Sequence, residues 1–478
     1  MSSGISRVVR ASIWLYVSQL VYQVSGFVYW LLLGYLIGPG ELGEATAALG
    51  IASTISGLLS LGLGQGVTRF VGSGDLGTAA WALKLLPILS LIAFSSSTAV
   101  CALMGIALSL GLVAGLTATL TLVNGVLAGF ARGLLETRPI ALSTAAGHLV
   151  KVAVGVSLVW AGLGSLGVAT GYLFRHITAF IVLLAFLLPS VKVLEASGSL
   201  RELLSVGIAA YTPNVIITLG TWLGILVLYG GVGAVETGLY YVASVLSGVI
   251  IGVPATVLGL MMPYLSGVKS GREKLASKAL RISLAVSLPL AAVLYAYPHV
   301  ILMLLRREYM GSIPILRVLL LILPLQAVNM SVASLLYAAS MYRLILLRGL
   351  LFSTVSTVLY YPLAIAMDGV GVAIARLAGM AASFTVSLLV ASKVNFKLNL
   401  RELALLCLIP GLPALAFTIL NVTWILGAPV ILAVSVLAYA RLRLLEISDL
   451  RELSSVLPRR ILIRVHPIVK PLLEFLYG

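Results

Sequence analysis

The chain has 478 residues, of which 60% are hydrophobic and only 10% charged, and it carries a net charge of +16. A soluble domain holds roughly a quarter charged residues, so this composition excludes a soluble globule and specifies an all-α polytopic membrane protein. The two cysteines, Cys101 and Cys407, both lie in apolar segments and offer no disulfide framework.

In chain order, apolar stretches long enough to cross a bilayer, which takes about 20 residues, are predicted at 12–38, 43–70, 79–109, 112–131, 138–162, 164–190, 203–229 and 238–264. Further spans are predicted at 276–304, 311–338, 342–366, 369–392, 401–420 and 424–444, which makes about 14 transmembrane helices. The joint at Ser109–Leu112 is a weak division. Met1 to Arg10 is basic but runs straight into a full-length span, so it reads as the start of a first transmembrane helix and not as a cleaved signal.

The distribution of charge sets the orientation. With both termini on the cytoplasmic side, only Arg306 and Arg307 fall in outside loops. Lys84, Lys151, Arg175, Arg281, Arg317, Arg348 and Arg376 fall within spans, and the other 22 of the 31 basic residues lie in inside loops and tails. That bias is what the positive-inside rule demands of a multi-pass cell-membrane protein. The net charge is therefore topological, with anionic membrane lipids as expected partners and no nucleic acid required.

The hairpin 138–190 carries the most informative charges. Lys151 sits near the middle of its first segment, and Arg175 and His176 near the middle of its second. His148 lies one turn before Lys151, on much the same face. No Asp or Glu lies inside either segment. A charge at bilayer depth costs about 2.5–3.5 kcal/mol on insertion scales and is normally hidden in a bundle or a wet cavity. Unpaired positive charge there suits an anionic passenger. The alternative is that Lys151 and Arg175 bind backbone carbonyls or snorkel to an interface. Lys84, Arg281 and Arg348 are expected to snorkel, while Arg317 and Arg376 suit either cavity lining or anchoring. Arg69 ends the second span, where it can meet a lipid phosphate bidentately or anchor the topology.

An internal repeat is also legible. Sliding the chain by 195 residues sets Tyr16 on Tyr211, Gln19 on Asn214, Gln23 on Thr218, Glu41 on Glu236 and Gly43 on Gly238. Later the offset is about 204, setting Gly167 on Gly371 and Phe180 on Phe384. Six spans separate the copies, so both run in the same direction and a pseudo-twofold axis is expected along the membrane normal. The spans 401–420 and 424–444 stand outside the repeat. Tyr16, Gln19 and Gln23, with Trp30 next along, form a polar stripe at helical spacing that Tyr211, Asn214, Thr218 and Trp222 repeat. Such stripes suit sugar hydroxyls and ring faces along a cavity wall; interhelical hydrogen bonding would use the same residues.

Three stretches carry a family resemblance. They are Gly34–Gly43 with Gly64-Gln65-Gly66-Val67-Thr68-Arg69-Phe70, the run Trp160 to Ala169, and the run Arg307 to Leu319. Together with the six-plus-six-plus-two layout they resemble prokaryotic polysaccharide flippases of the multidrug/oligosaccharidyl-lipid/polysaccharide exporter superfamily. The resemblance implies an N-terminal six-helix lobe (1–190), a cytoplasmic linker (191–202), a second six-helix lobe (203–394), two accessory helices (395–445) and a cytoplasmic amphipathic tail (446–478). It implies a flippase that moves an isoprenoid (poly)phosphate-linked oligosaccharide from the cytoplasmic to the outer leaflet by alternating access through a cationic central cavity. It is expected to work as a monomer, without catalytic residues, metal or cofactor.

Two other classes compete with that reading. A cation-coupled multidrug antiporter of the same superfamily would hold a buried carboxylate, yet Glu41, Glu44, Glu136, Glu236 and Asp368 all sit at span ends or in loops. A membrane-embedded glycosyltransferase or polymerase would show acidic catalytic residues and a substantial extramembrane loop. A phosphate-binding G-x-x-x-x-G-K-[ST] loop is absent from the sequence.

Overall fold

The computed structural model describes residues 21, 24–191, 195–267 and 271–444, with only the backbone described at 189–191, 213, 214, 217 and 259–267. Among the described residues there are helices and turns but no strand. Ten helical stretches there are long and apolar enough to cross a membrane, and the chain is a multi-pass membrane protein.

The elements begin with α1 (Val24–Leu36), α2 (Pro39–Leu59), α3 (Leu63–Ser73), α4 (Leu76–Leu103) and α5 (Leu108–Gly133). Pro39 opens α2 because its fixed φ suits a first turn that needs no N–H. Gly62, at φ +68°, separates α2 from α3 within one predicted span. Asp75 caps α4 by accepting the Thr78 N–H at 2.9 Å. That bond, reinforced by the Thr78 side chain, holds the Asp75 carboxyl below its usual value. The division after α4 lies at 104–107, earlier than the weak joint expected at Ser109–Leu112. Gly105 at φ +74° lets Ile106 N–H close back on the Cys101 carbonyl at 2.9 Å, a helix stop that hydropathy does not register.

Next come α6 (Arg138–Leu158) and α7 (Gly164–Val191), joined by a tight turn at Val159–Leu163, and then α8 (Leu200–Gly231) and α9 (Ala234–Gly267). The apolar stretch Arg138–Leu188 is 51 residues long, too long for one crossing of a ~30 Å hydrocarbon core. The turn divides it, and α6 and α7 pack back along one another. The chain continues through α10 (Arg272–Ala296), α11 (Pro298–Leu302), α12 (Ile313–Leu320) and α13 (Ile322–Ala338). It ends with α14 (Tyr342–Ala391), α15 (Leu400–Ile419) and α16 (Trp424–Arg441). The helical path of α14 is broken at Met367 and Asp368. Gly164 (φ +43°, ψ −125°) and Asp368 (φ +50°, ψ −135°) share one uncommon backbone conformation, and they stand in the later register of the sequence repeat. Beside each turn lies a glutamate of the repeat pair. The Glu41 side chain lies against Gly164, and the Glu236 carboxylate accepts the Gly369 N–H at 3.3 Å.

Backbone packing divides the chain into two compact units. The first comprises the described residues of Met1–Val245, Leu304–Ser312 and Ser353–Arg376. Its core gathers Ile51, Leu63, Val67, Leu110, Leu122, Phe130 and Ala169. Small residues let backbones approach closely there. A Cβ on Gly43 would stand 2.7 Å from the Gly238 nitrogen, and one on Gly238 would stand 2.7 Å from the Pro39 carbonyl carbon. Gly43 and Gly238 are repeat mates, so the contact is reciprocal.

The second unit comprises the described residues of Leu246–Met303, Ile313–Phe352 and Leu377–Gly478. Here α10 packs against α13, α15 and α16, and Tyr297, Ala414 and Ile431 form a small core. Arg281 pairs with Glu402 at 3.8 Å. Arg348 does not snorkel as expected. It is buried and donates to the Asn329 carbonyl, in a polar knot with Ser387. A backbone acceptor within reach replaces the route to an interface.

Candidate functional site

The site lies in the first unit, where α6 and α7 present one face to α1. Lys151 is 1% exposed, and its ammonium stands 4.4 Å from the ring centre of Tyr29 and 4.8 Å from that of Tyr172. Two desolvated cation–π contacts, at about 2 kcal/mol each, are comparable with the ~2.5–3.5 kcal/mol cost of a charge at bilayer depth. Rings therefore carry this cation, and among the described residues no carboxylate pairs with it. The Arg175 guanidinium lies 6.0 Å from the same Tyr172 ring. His148, also 1% exposed, sits with Nδ1 2.8 Å from the Ser25 hydroxyl. His176 is half-buried, and its backbone carbonyl accepts the Asn124 amide at 3.0 Å. Lys151 and Arg175 thus share the Tyr172 ring.

Tyr29 is locked in place by packing. Its hydroxyl donates to the Val168 carbonyl at 3.0 Å, and Gly155 and Gly171 leave the notch it fills. A Cβ on Gly171 would stand 2.7 Å from the Tyr29 oxygen. A second tyrosine is held by a carbonyl and a glycine notch in a similar way. Tyr360 of α14 donates to the Gly220 carbonyl at 2.7 Å, and a Cβ on Gly224 would stand 3.0 Å from its ring. Gly224 stands on Tyr29 in the 195-residue register of the sequence repeat. Trp30 extends the aromatic wall, with ring centres 5.9 Å from Tyr172 and 4.6 Å from Tyr241.

A cavity of about 300 Å³ opens in the same unit among α2, α3, α4, α5 and α8. Tyr211 and Thr218 of the predicted stripe line it, together with Ser53, Ser56, Ser60, Gln65, Thr121 and Arg132. Tyr16, Gln19 and Gln23 lie outside the described residues, as does the Asn214 side chain.

Comparison with known proteins places this geometry in context. Residues 78–314 match the family described as polysaccharide biosynthesis protein. The fold is that of the multidrug/oligosaccharidyl-lipid/polysaccharide exporter superfamily. The lipid II flippase MurJ in an inward closed conformation superposes with a TM-score of 0.72 at 13% identity, over 89% of this chain and 99% of that one. An outward-facing multidrug resistance MATE family transporter gives 0.57 at 18% identity, over 81% and 95% of the two chains. A transporter of the same superfamily from Pyrococcus furiosus gives 0.53 at 18% identity, over 81% and 95%. No curated protein matches the chain by sequence.

The remaining predicted residues lie apart from the Lys151 cluster. Arg69 is an exposed residue of α3. Arg317 belongs to the second unit, where its Nε donates to the Tyr295 carbonyl at 3.1 Å and its guanidinium covers the Tyr295 ring at 5.5 Å. Tyr29 and Tyr172 were missed at the sequence level, although Tyr172 stands one turn from Arg175. The serines of α2 were missed too, despite the helical spacing of Ser53, Ser56 and Ser60.

Proposed function

We propose that this protein is a flippase that carries an isoprenoid (poly)phosphate-linked oligosaccharide from the cytoplasmic to the outer leaflet by alternating access. The observation that carries the reading is Lys151, a buried ammonium balanced by tyrosine rings with Arg175 beside it. An ion pair would saturate the cation, whereas aromatic faces stabilise it and leave its donors for a passing anion. A diphosphate must shed much of its hydration to cross, and several dispersed cations can replace that water while holding the group weakly enough to release it. The polysaccharide biosynthesis family and the flippase fold support the same substrate class.

The architecture that goes with this reading has about 14 spans, two six-helix lobes related by a pseudo-twofold along the membrane normal, and α15 and α16 as accessory helices. The reciprocal Gly43–Gly238 contact and the matched turns at Gly164 and Asp368 support that relation. Both termini are cytoplasmic, the cell membrane is the site of action, a single copy suffices, anionic lipids surround it, and no enzymatic step is involved. The multidrug-antiporter reading is less favoured, because among the described residues no carboxylate is fully buried as cation coupling requires.

The test follows a fluorescent polyprenyl-diphosphate disaccharide across proteoliposome membranes. Lys151→Gln and Arg175→Gln should each slow flipping by about tenfold or more, while Lys151→Arg retains most of the rate. Wild-type rates in both glutamine variants would overturn the reading. Loss of folding or insertion in both would assign Lys151 and Arg175 to structure instead.

A further inference from the structure

We infer that the cavity of α2, α3, α4, α5 and α8 is a saccharide pocket, in which Gly57 and Gly125 set the size of the sugar admitted. This rests on the flippase reading and assigns the sugar, as distinct from the phosphate, a place in the protein.

The lining chemistry selects the ligand class. Ser56, Ser60 and Thr121 each donate to a carbonyl of their own helix, Ser53 at 3.2 Å, Gly57 at 2.9 Å and Thr117 at 2.7 Å. Their protons are spent, so toward the cavity these hydroxyls offer lone pairs. Gln65, Arg132 and the Tyr211 hydroxyl supply donors on the same wall. Sugar hydroxyls both donate and accept, and this mixed wall matches them. Among the described residues no carboxylate lines the space, so they offer a metal ion or an organic cation no counter-charge. A single guanidinium matches a diphosphate poorly, and that group is better served at Lys151 and Arg175. The Tyr211 ring adds a face on which a pyranose can stack. The volume, about 300 Å³, is the lower end of small-molecule sites and holds about ten waters, the scale of one or two sugar rings.

The glycines make the room. A Cβ on Gly125 would meet nothing within 4 Å, and one on Gly57 would meet only the Tyr211 hydroxyl, at 3.9 Å. Both lie inside helices without positive φ, where glycine weakens the helix. Gly64 differs, because its Cβ would stand 2.7 Å from the Gly125 carbonyl oxygen. Packing explains Gly64, while at Gly57 and Gly125 the empty space is itself the feature. Among the described residues none that lines the cavity belongs to the Lys151 cluster, so the two can be tested separately.

The experiment measures binding, in nanodiscs, of polyprenyl diphosphate bearing one N-acetylhexosamine and of the sugarless polyprenyl diphosphate. Gly125→Leu should weaken the glycolipid about tenfold and leave the sugarless lipid unchanged, with Gly125→Ala giving a smaller loss of the same kind. Lys151→Gln should weaken both lipids. Unchanged binding of both lipids to Gly125→Leu, or an equal loss for both, overturns the pocket. Wild-type binding of both lipids to Lys151→Gln overturns the phosphate reading and leaves the pocket result standing by itself. If Gly125→Leu fails to fold, Ser60→Ala with Thr121→Val must give the same selective loss, and its absence overturns the proposal.

Discussion

Lys151 and Arg348 are both cations buried in apolar helices, yet they are stabilised by different means. Arg348 donates to a backbone carbonyl and sits in a hydrogen-bonded knot, which is the structural alternative realised. Lys151 rests between the faces of Tyr29 and Tyr172. The two roles of Tyr29 can be separated. Tyr29→Phe keeps the ring and loses the bond to Val168, so it should lower stability by about 1 kcal/mol while flipping persists. Tyr29→Leu also removes a face from Lys151 and should cost more stability and slow flipping. Thermal unfolding in detergent, read beside transport in proteoliposomes, distinguishes them. Equal behaviour of the two variants would show that the ring has no part in holding the cation.

At the scale of elements, two hairpin turns do the same job with different residues. Gly164 and Asp368 share a positive-φ conformation that glycine adopts freely and an L side chain resists. Such strain costs roughly 1–3 kcal/mol. Asp368→Gly should therefore stabilise the protein by about 1 kcal/mol, and Gly164→Ala should destabilise it by about 1–3 kcal/mol. Thermal melts of the purified protein check both signs. A destabilised Asp368→Gly would mean that the aspartate side chain contributes more than its backbone costs. The sequence repeat placed these turns in register, but hydropathy alone had no means of assigning them one conformation.

For the whole molecule, the charge bias makes a prediction independent of any substrate. Single cysteines placed at Arg69, Lys397 and Arg441, in a background lacking Cys101 and Cys407, should react with an impermeant maleimide only from the cytoplasmic side. One at Arg306 should react only from outside. Labelling of Arg306 and Lys397 from the same side would refute the topology that the positive-inside rule assigns. Tyr29 against Gly155 and Tyr360 against Gly224 are two separate places where a tyrosine fills a notch left by glycine on a neighbouring helix.

Membrane class and helical content were determined by the sequence itself, because apolar length and loop charge are local quantities summed along a chain. The placing of Lys151, Arg175 and His148 within apolar segments was equally legible, since it is read position by position along the chain. Tertiary structure alone decided what surrounds those charges. Tyr29 stands more than a hundred positions from Lys151, and no spacing rule connects α1 to α6. The cavity was likewise hidden, because Ser56, Thr121 and Tyr211 come from three separate helices whose faces meet only when glycines such as Gly64 and Gly62 let the backbones close. Helical periodicity tells which residues share a face; which faces meet is decided by the fit of small against large side chains across helices far apart in the chain.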